Sequence, residues 1–391
     1  MLNITQEEVM QTWKKGSPDE PIISIESLAY NHELYIEQTL DGILRQKTEY
    51  AFEVIIHDDA SIDDTAKIIK RYVEKFPLII KPIFQTENQY SKPDVTFDDI
   101  MIPRLMGRYI AYCECDDYWI DELKLQKQVK FLEDNPDYGM CYTNFNMLYQ
   151  KSGEMKYDLF TLHEKEFHSE FSLKYWIMHL GYTAPMTWVY KRELFDSYQP
   201  CLSCDGSFLW FAHFLASTKV KCLKDETTAV YRVLDESASH SNDIQKNIER
   251  REKLAELQKM LIDKYGFSGE LKQQIDRAVL KDKIMLENEG VPYKLKKLWD
   301  FVYSKENVYI YGNGYYKEIL LNYFNKKKYS IRGIVVTRKE QQEENVIEFA
   351  DLFLGELDGV IIALNYENTE EVKQFLKRKI KSSQVLYPDY I

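Results

Sequence analysis

PIISIESLAYNHELYIEQTLDGILRQKTEYAFEVIIHDD (residues 21–59) holds two apolar runs with an amphipathic run between them. PIISIESLAY (21–30) reads as a strand, HELYIEQTLDGILRQ as an amphipathic helix, and FEVIIHDD (52–59) as a second strand. The pattern repeats outward. SIDDTAKIIKRYVEKF is a second helix, capped by Ser61 with Asp64, and PLIIKPIF is a third strand. Residues 96–106 suggest a helix, YIAYCEC a fourth strand, ELKLQKQVKFLED a helix ending before Pro136, and YGMCYTNFNML a fifth strand. This alternation predicts an α/β fold, a mostly parallel sheet with helices on both faces. Ligands of such sheets bind beyond the carboxyl ends of the strands. Both acidic clusters of the region, Asp58-Asp59 and Glu114-Cys115-Asp116-Asp117, fall at strand ends.

Three carboxylates within four positions repel one another, and burying them unpaired is costly. Capping a helix does not need three. Either the cluster lies open to water or something positive faces it, and a site built for a divalent cation meets that demand.

The whole chain narrows the function classes. Its 391 residues suggest two or three domains, and 45% hydrophobic residues suffice for real cores. A net charge of −12 argues against a nucleic-acid partner, because phosphate backbones are held by clustered Lys and Arg. An acidic protein that handles phosphates would use a divalent cation. The 29 tyrosines lean toward ring-shaped ligands, bases or sugars. MLNITQEEVMQTWKK is polar, with Thr5 and Glu8 as a capping box, so no signal peptide is read and a cytoplasmic location is expected. No apolar run approaches the roughly 18–20 residues of a membrane span. Of the six cysteines, Cys201-x-x-Cys204 has no second pair at zinc spacing, and reduced, mostly buried thiols are expected.

Residues 150–240 are irregular and aromatic-rich, as a substrate-covering region would be. Residues 243–300 read as a charged, solvated helical connector with no sustained heptad, leaving a coiled-coil dimer open. Residues 301–391 restart a βαβ pattern around Gly312-x-Gly314. The dinucleotide fingerprint would need a third glycine where Lys317 stands, so a Rossmann-like module is expected and a nicotinamide cofactor is not. The basic, aromatic stretch VPYKLKKLWDFVYSK (291–305) fits a helix packed on the last domain, with peripheral contact to an anionic membrane as the alternative.

The candidate chemistry rests on a few residues. Asp59 could accept the imide N–H of a uracil while Tyr30 stacks on its face. Glu114 and Asp116 could hold a ribose and a divalent metal that neutralises a diphosphate. Asp205, before an amphipathic helix, could take a proton from an incoming hydroxyl. Plain structural readings stand beside these: turn residues for Asp58 and Asp59, and a helix N-cap for Asp205.

SLAYNHELYIEQTLDGILRQ, FEVIIHDDASIDDT and GRYIAYCECDDYW with KLQKQVKFLE together resemble the inverting glycosyltransferases of family 2, over about residues 20–240. The branch most closely resembled extends bacterial surface polysaccharides or glycoproteins. The resemblance implies a GT-A domain at 1–242, followed by the connector (243–300) and the smaller Rossmann-like α/β domain (301–391). It implies a nucleotide-diphosphate sugar as donor, Mn2+ or Mg2+ as cofactor, and a glycan, glycoprotein or lipid-linked acceptor. By the same resemblance Tyr30 and Asp59 contact the base, and Glu114-Cys115-Asp116 is the DxD motif with Asp116 on the metal. Asp117 supports the site, Asp205 is the catalytic base, and His240 falls where many members place a histidine close to the diphosphate, so it is counted with Asp116 at the metal. The chain departs from the pattern at Glu114, one methylene longer than Asp, at Cys115, and at LSCD before the base, where many members carry a second acid. Trp119 could line the acceptor site or pack in the core. Two other classes compete. A sugar nucleotidyltransferase needs a glycine-rich basic loop after the first strand, where SLAYNHELY stands, and a non-catalytic binding protein would let the DxD degenerate. The last domain resembles, loosely, the small nucleotide-binding domain preceding some sugar acetyltransferases, and is read as a regulatory nucleotide site or a docking domain.

Overall fold

The computed structural model describes the chain except residues 1–2, 91, 93–94, 165–166, 199–204, 235–242, 289–290, 338–345 and 390–391. The chain divides into two compact units, residues 1–240 and 241–391.

In the first unit a short helix α1 (Gln6–Met10) carries the Thr5–Glu8 capping box. There follow β1 (Ile23–Ala29), α2 (Ile36–Leu44), β2 (Phe52–Asp58), α3 (Thr65–Lys75), β3 (Ile80–Phe84), α4 (Phe97–Met101) and β4 (Tyr109–Tyr112). Next come β5 (Tyr118–Trp119), α5 (Lys124–Asp134), β6 (Tyr138–Tyr149), β7 (Glu154–Lys156), α6 (Leu159–Leu162), α7 (Leu173–His179), β8 (Val189–Lys191), α8 (Gly206–Ser217) and β9 (Lys219–Val233). All the strands join one sheet, in the order β3-β2-β1-β4-β8-β6-β9-β5, with β7 on β6. β1 and β2 are buried almost throughout, as strands covered on both faces are. α2 buries Ile36, Leu40, Ile43 and Leu44, a stripe at helical spacing turned to the core.

Three expectations are corrected. The sheet is mixed: β1 to β4 run parallel, but the three-residue β8 enters antiparallel between β4 and β6. Ser61 does not cap α3; its hydroxyl donates to Asp58 Oδ1, and Asp64 stands at the cap position without a side-chain cap bond. α8 is apolar nearly all round, burying the run Phe208 to Phe214, which makes it a core helix.

The second unit holds α9 (Ile244–Lys264) and α10 (Glu270–Glu287), tied by Arg251–Asp282 and Lys283–Glu252 ion pairs, and then α11 (Leu295–Tyr303). Its sheet comprises β10 (Val308–Tyr311), β11 (Gly333–Val336), β12 (Val346–Glu348), β13 (Gly359–Ile362) and β14 (Val385–Leu386), with helices α12 (Tyr315–Lys326) and α13 (Tyr366–Leu376). Every pairing is parallel, in the order β12-β11-β10-β13-β14, which matches the first five strands of the Rossmann order 3-2-1-4-5-6. Gly312 (φ +126°) is obligatory there, since a Cβ would meet the Ala363 carbonyl oxygen at 2.6 Å. Leu298 and Val302 of α11 are buried with Val308 and Ile310, so the 291–305 stretch packs its apolar face on this sheet. No helix among the described residues is long and apolar enough to cross a membrane.

Candidate active site

β1 and β4 lie side by side and parallel at the middle of the first sheet. Past Tyr112 the chain still follows β1: Cys113 N–H donates to the Glu26 carbonyl (2.9 Å) and Cys115 N–H to that of Leu28 (3.0 Å). Extended backbone alternates its side chains. Cys113 and Cys115 are therefore wholly buried, while Glu114 and Asp116 stand on the other side, partly exposed. The middle position of the motif must be small and apolar-compatible, and Cys115 is. The Thr39 hydroxyl of α2 donates to the carbonyls of Cys115 and Asp117 (3.0 and 2.5 Å), pinning the turn. Carboxylate oxygens of Glu114, Asp116 and Asp117 then lie within 4.8 Å of one another.

Such crowding is expensive, and the carboxyls register it. Burial, with Asp116 adding to it, pushes Glu114 up to about 8. Burial likewise raises Asp117 well above the usual carboxylate range.

The positive group facing the turn is Arg232, on β9, which the sequence reading did not single out. Its backbone N–H donates to Asp117 Oδ1 (2.7 Å), its Nε to the Asp116 carbonyl (2.6 Å), and its terminal nitrogens to Gln150 and Gln38 (2.7 Å each). The guanidinium lies over the rings of Tyr35 (4.7 Å) and Tyr118 (5.0 Å), and the residue is 5% exposed. A signal existed: an arginine inside the apolar strand AVYRV has to be paired if buried. Arg232 grips the backbone of the turn and leaves two carboxylates ungripped. Among the described residues no lysine or arginine pairs with the carboxylate of Glu114 or Asp116.

His32 is the second residue the sequence reading passed over. It follows Asn31, held at φ +56°, and its N–H donates to Thr65 Oγ1 (2.8 Å). Its Nδ1 is buried without a hydrogen-bond partner, and burial lowers its pKa against the pull of Asp116 and Asp63. An all-oxygen carboxylate set whose Glu114 and Asp116 meet no lysine or arginine among the described residues, with an unpartnered imidazole nitrogen on a residue that feels the Asp116 charge, fits a hard divalent ion such as Mg2+ or Mn2+.

The other expected residues distribute as follows. Tyr30, at the end of β1, is 45% exposed. Asp59 is buried, and its two carboxylate oxygens accept the backbone N–H groups of Gln89 (2.7 Å) and Tyr90 (3.1 Å). Asp205 is the N-cap of α8, accepting from Phe208 N–H (3.0 Å) and the Ser207 hydroxyl (2.9 Å). Its charge is also felt by Glu114. Trp119 is a core residue: it is 3% exposed, its indole donates to the Met186 carbonyl (2.8 Å), and buried Lys124 lies over its ring. His240, Cys201 and Cys204 lie outside the described residues. Cys113, Cys115, Cys141 and Cys222 are free and buried.

An α/β sheet whose central strand opens into a carboxylate turn, with a capped core helix beside it, is the GT-A arrangement of nucleotide-sugar transferases. Residues 24–199 match the family described as Glycosyl transferase family 2. An uncharacterized protein of Mycobacterium tuberculosis is 42% identical over 128 residues, 33% of this chain and 36% of that one. The putative teichuronic acid biosynthesis glycosyltransferase TuaG of Bacillus subtilis is 30% identical over 36% of this chain and 51% of its own. The UDP-Glc:alpha-D-GlcNAc-diphosphoundecaprenol beta-1,3-glucosyltransferase WfaP of Escherichia coli is 33% identical over 32% of this chain and 46% of its own. The matches thus span from 36% to 51% of these curated relatives.

Proposed function

We propose that this chain moves a sugar from a UDP-sugar to a hydroxyl of a glycan, glycoprotein or lipid-linked acceptor, inverting the transferred carbon, with Mn2+ or Mg2+ as cofactor. The observation that carries this is the turn at Glu114, Asp116 and Asp117, whose first two carboxylates have no lysine or arginine of the described residues against them. Glu114 and Asp116 would hold the divalent ion, which when bound stabilises the negative charge on a departing diphosphate. Asp117, anchored by Arg232, supports the turn. Tyr30 offers its exposed ring to the base. Asp59 uses one lone pair of each oxygen on the 89–90 backbone, and a carboxylate oxygen has a second to offer the base N–H. His240 is assigned to the diphosphate. Asp205 takes the proton of the acceptor hydroxyl as that oxygen bonds to the anomeric carbon and the bond to the diphosphate breaks with its electron pair. The names of TuaG and WfaP support a surface-glycan acceptor and a uridine donor.

Calorimetry of UDP binding with Mn2+ and with excess chelator tests the metal. Binding should weaken at least about tenfold on chelation, and Asp116→Asn should reproduce most of that loss. Full UDP affinity and donor turnover in excess chelator would contradict the metal assignment.

The base assignment has its own test. Asp59→Ala should weaken UDP binding by about 1–3 kcal/mol, the loss of a charge-assisted hydrogen bond. Equal affinity of the unaltered protein for UDP and ADP would overturn it.

A further inference from the structure

Glu26 is a carboxyl that none of the roles above uses. It sits in mid-β1, 7% exposed, in a strand buried at every position but one. Register places it opposite Tyr112 on β4 and Ile55 on β2, and residues paired across strands share a face. On that face the Tyr112 hydroxyl donates to Glu114 (3.2 Å). From the covering helices comes Asp98 of α4, which accepts the Trp210 indole N–H of α8 (3.2 Å). The electrostatic neighbours of Glu26 are Asp98 and Glu114, and both Tyr112 and Tyr190 in turn feel its charge. Glu114 senses Asp205. Electrostatic coupling thus links Glu26 through Glu114 to the proposed base, with Tyr112 opposite the one and bonded to the other.

Glu26 differs from its neighbours in having nothing to bind. Tyr112 serves Glu114 and Trp210 serves Asp98, but no hydrogen bond or cation from a described residue reaches the Glu26 carboxyl. An unpaired buried carboxyl costs stability, and such costs persist where a ligand supplies the missing partner. We propose that Glu26 is a sugar-specificity residue, its carboxyl receiving hydroxyl groups of an uncharged sugar ring seated between Asp116 and Asp205. This rests on the glycosyltransferase reading above. Carboxyls and phenols without a facing cation suit the hydroxyls of a neutral sugar and offer no positive partner to a carboxylate-bearing one. The ring belongs either to the donor or to the acceptor, and the two have different signatures.

The experiment compares the full-length chain with Glu26→Gln and Glu26→Leu, measuring Mn2+-supported binding of UDP, UDP-glucose and UDP-glucuronic acid, acceptor KM, and melting temperature. Glu26→Leu should keep its UDP affinity and melt higher, because an unpaired carboxyl has been replaced by an apolar side chain. It should lose the affinity by which UDP-glucose exceeds UDP, a drop of about tenfold, with Glu26→Gln between the two. If the ring is the acceptor's, acceptor KM rises instead while the UDP-glucose increment stays. Unchanged sugar increment and unchanged acceptor KM in Glu26→Leu overturn the proposal, as does a lower melting temperature with UDP affinity lost, which marks a structural role. UDP alone reports on the parent reading. If the unaltered protein fails to bind it, the donor site itself falls, and Glu26 with it.

Discussion

Asp205→Asn should give a folded protein that binds UDP normally and transfers sugar about 10²–10⁴-fold more slowly, the typical loss of a general base. The structure makes this a clean separation. Asp205 caps α8 through one carboxylate oxygen, which accepts both Phe208 N–H and the Ser207 hydroxyl. Asparagine presents the same carbonyl oxygen and ranks with aspartate as an N-cap, so the helix should hold and the melting temperature should barely move. The amide cannot take a proton at neutral pH. Donor affinity should persist, because the proposed target of Asp205 is the acceptor hydroxyl. Transfer rate, UDP affinity and melting temperature on this one mutant decide the matter. Near-normal transfer would reduce Asp205 to a cap and move the search for a base to Asp225, Glu226 or His240. Of these, Glu226 is already engaged by Lys127.

Arg232→Met should destabilise the first unit by about 3 kcal/mol, the scale of breaking a buried charge pair, and weaken Mn2+-dependent UDP binding by about 10–100-fold. Methionine fills much of the volume between Tyr35 and Tyr118 but donates nothing. The Asp116 carbonyl, Gln150 and Gln38 each lose a donor, and the buried Asp117 carboxyl loses its nearest positive charge. Arg232→Lys keeps the charge without the planar fork, so it should recover only part of the stability and little of the binding. Urea unfolding and UDP calorimetry check both effects. A stability change within about 0.5 kcal/mol, the range of an ordinary surface substitution, would remove Arg232 from the support of the turn.

How legible the site was depended on where each residue's partners lie in the chain. The strand–helix–strand reading of 21–59 survives because β1 and β2 are buried on both faces and α2 carries a regular apolar stripe. β8 left almost no trace, since three residues carry no periodicity, and with it the mixed character of the sheet went unread. Ser61 looked like a cap because capping signals are local, yet Asp58 nearby offered its hydroxyl a better acceptor. Trp119 was undecided for a similar reason: its placement depends on Met186 and Lys124, which pack against it only in the folded sheet.

By itself the sequence determined the order of strands and helices in the parallel half of the first sheet, the position of the acidic turn at its mouth, and the demand that this turn lie open to water or face something positive. Hydrophobic periodicity and like-charge repulsion act between near neighbours, so a single chain displays them. Only the tertiary structure decided which partner answers the repulsion. Arg232 lies 116 residues beyond Asp116 and meets it because β9 returns to the sheet beside β5. The same holds for Glu26, whose want of a partner is a property of the face it shares with Tyr112, Asp98 and Glu114. Whether a buried charge is paired depends on every group within a few ångströms, and folding brings those groups from distant parts of the chain.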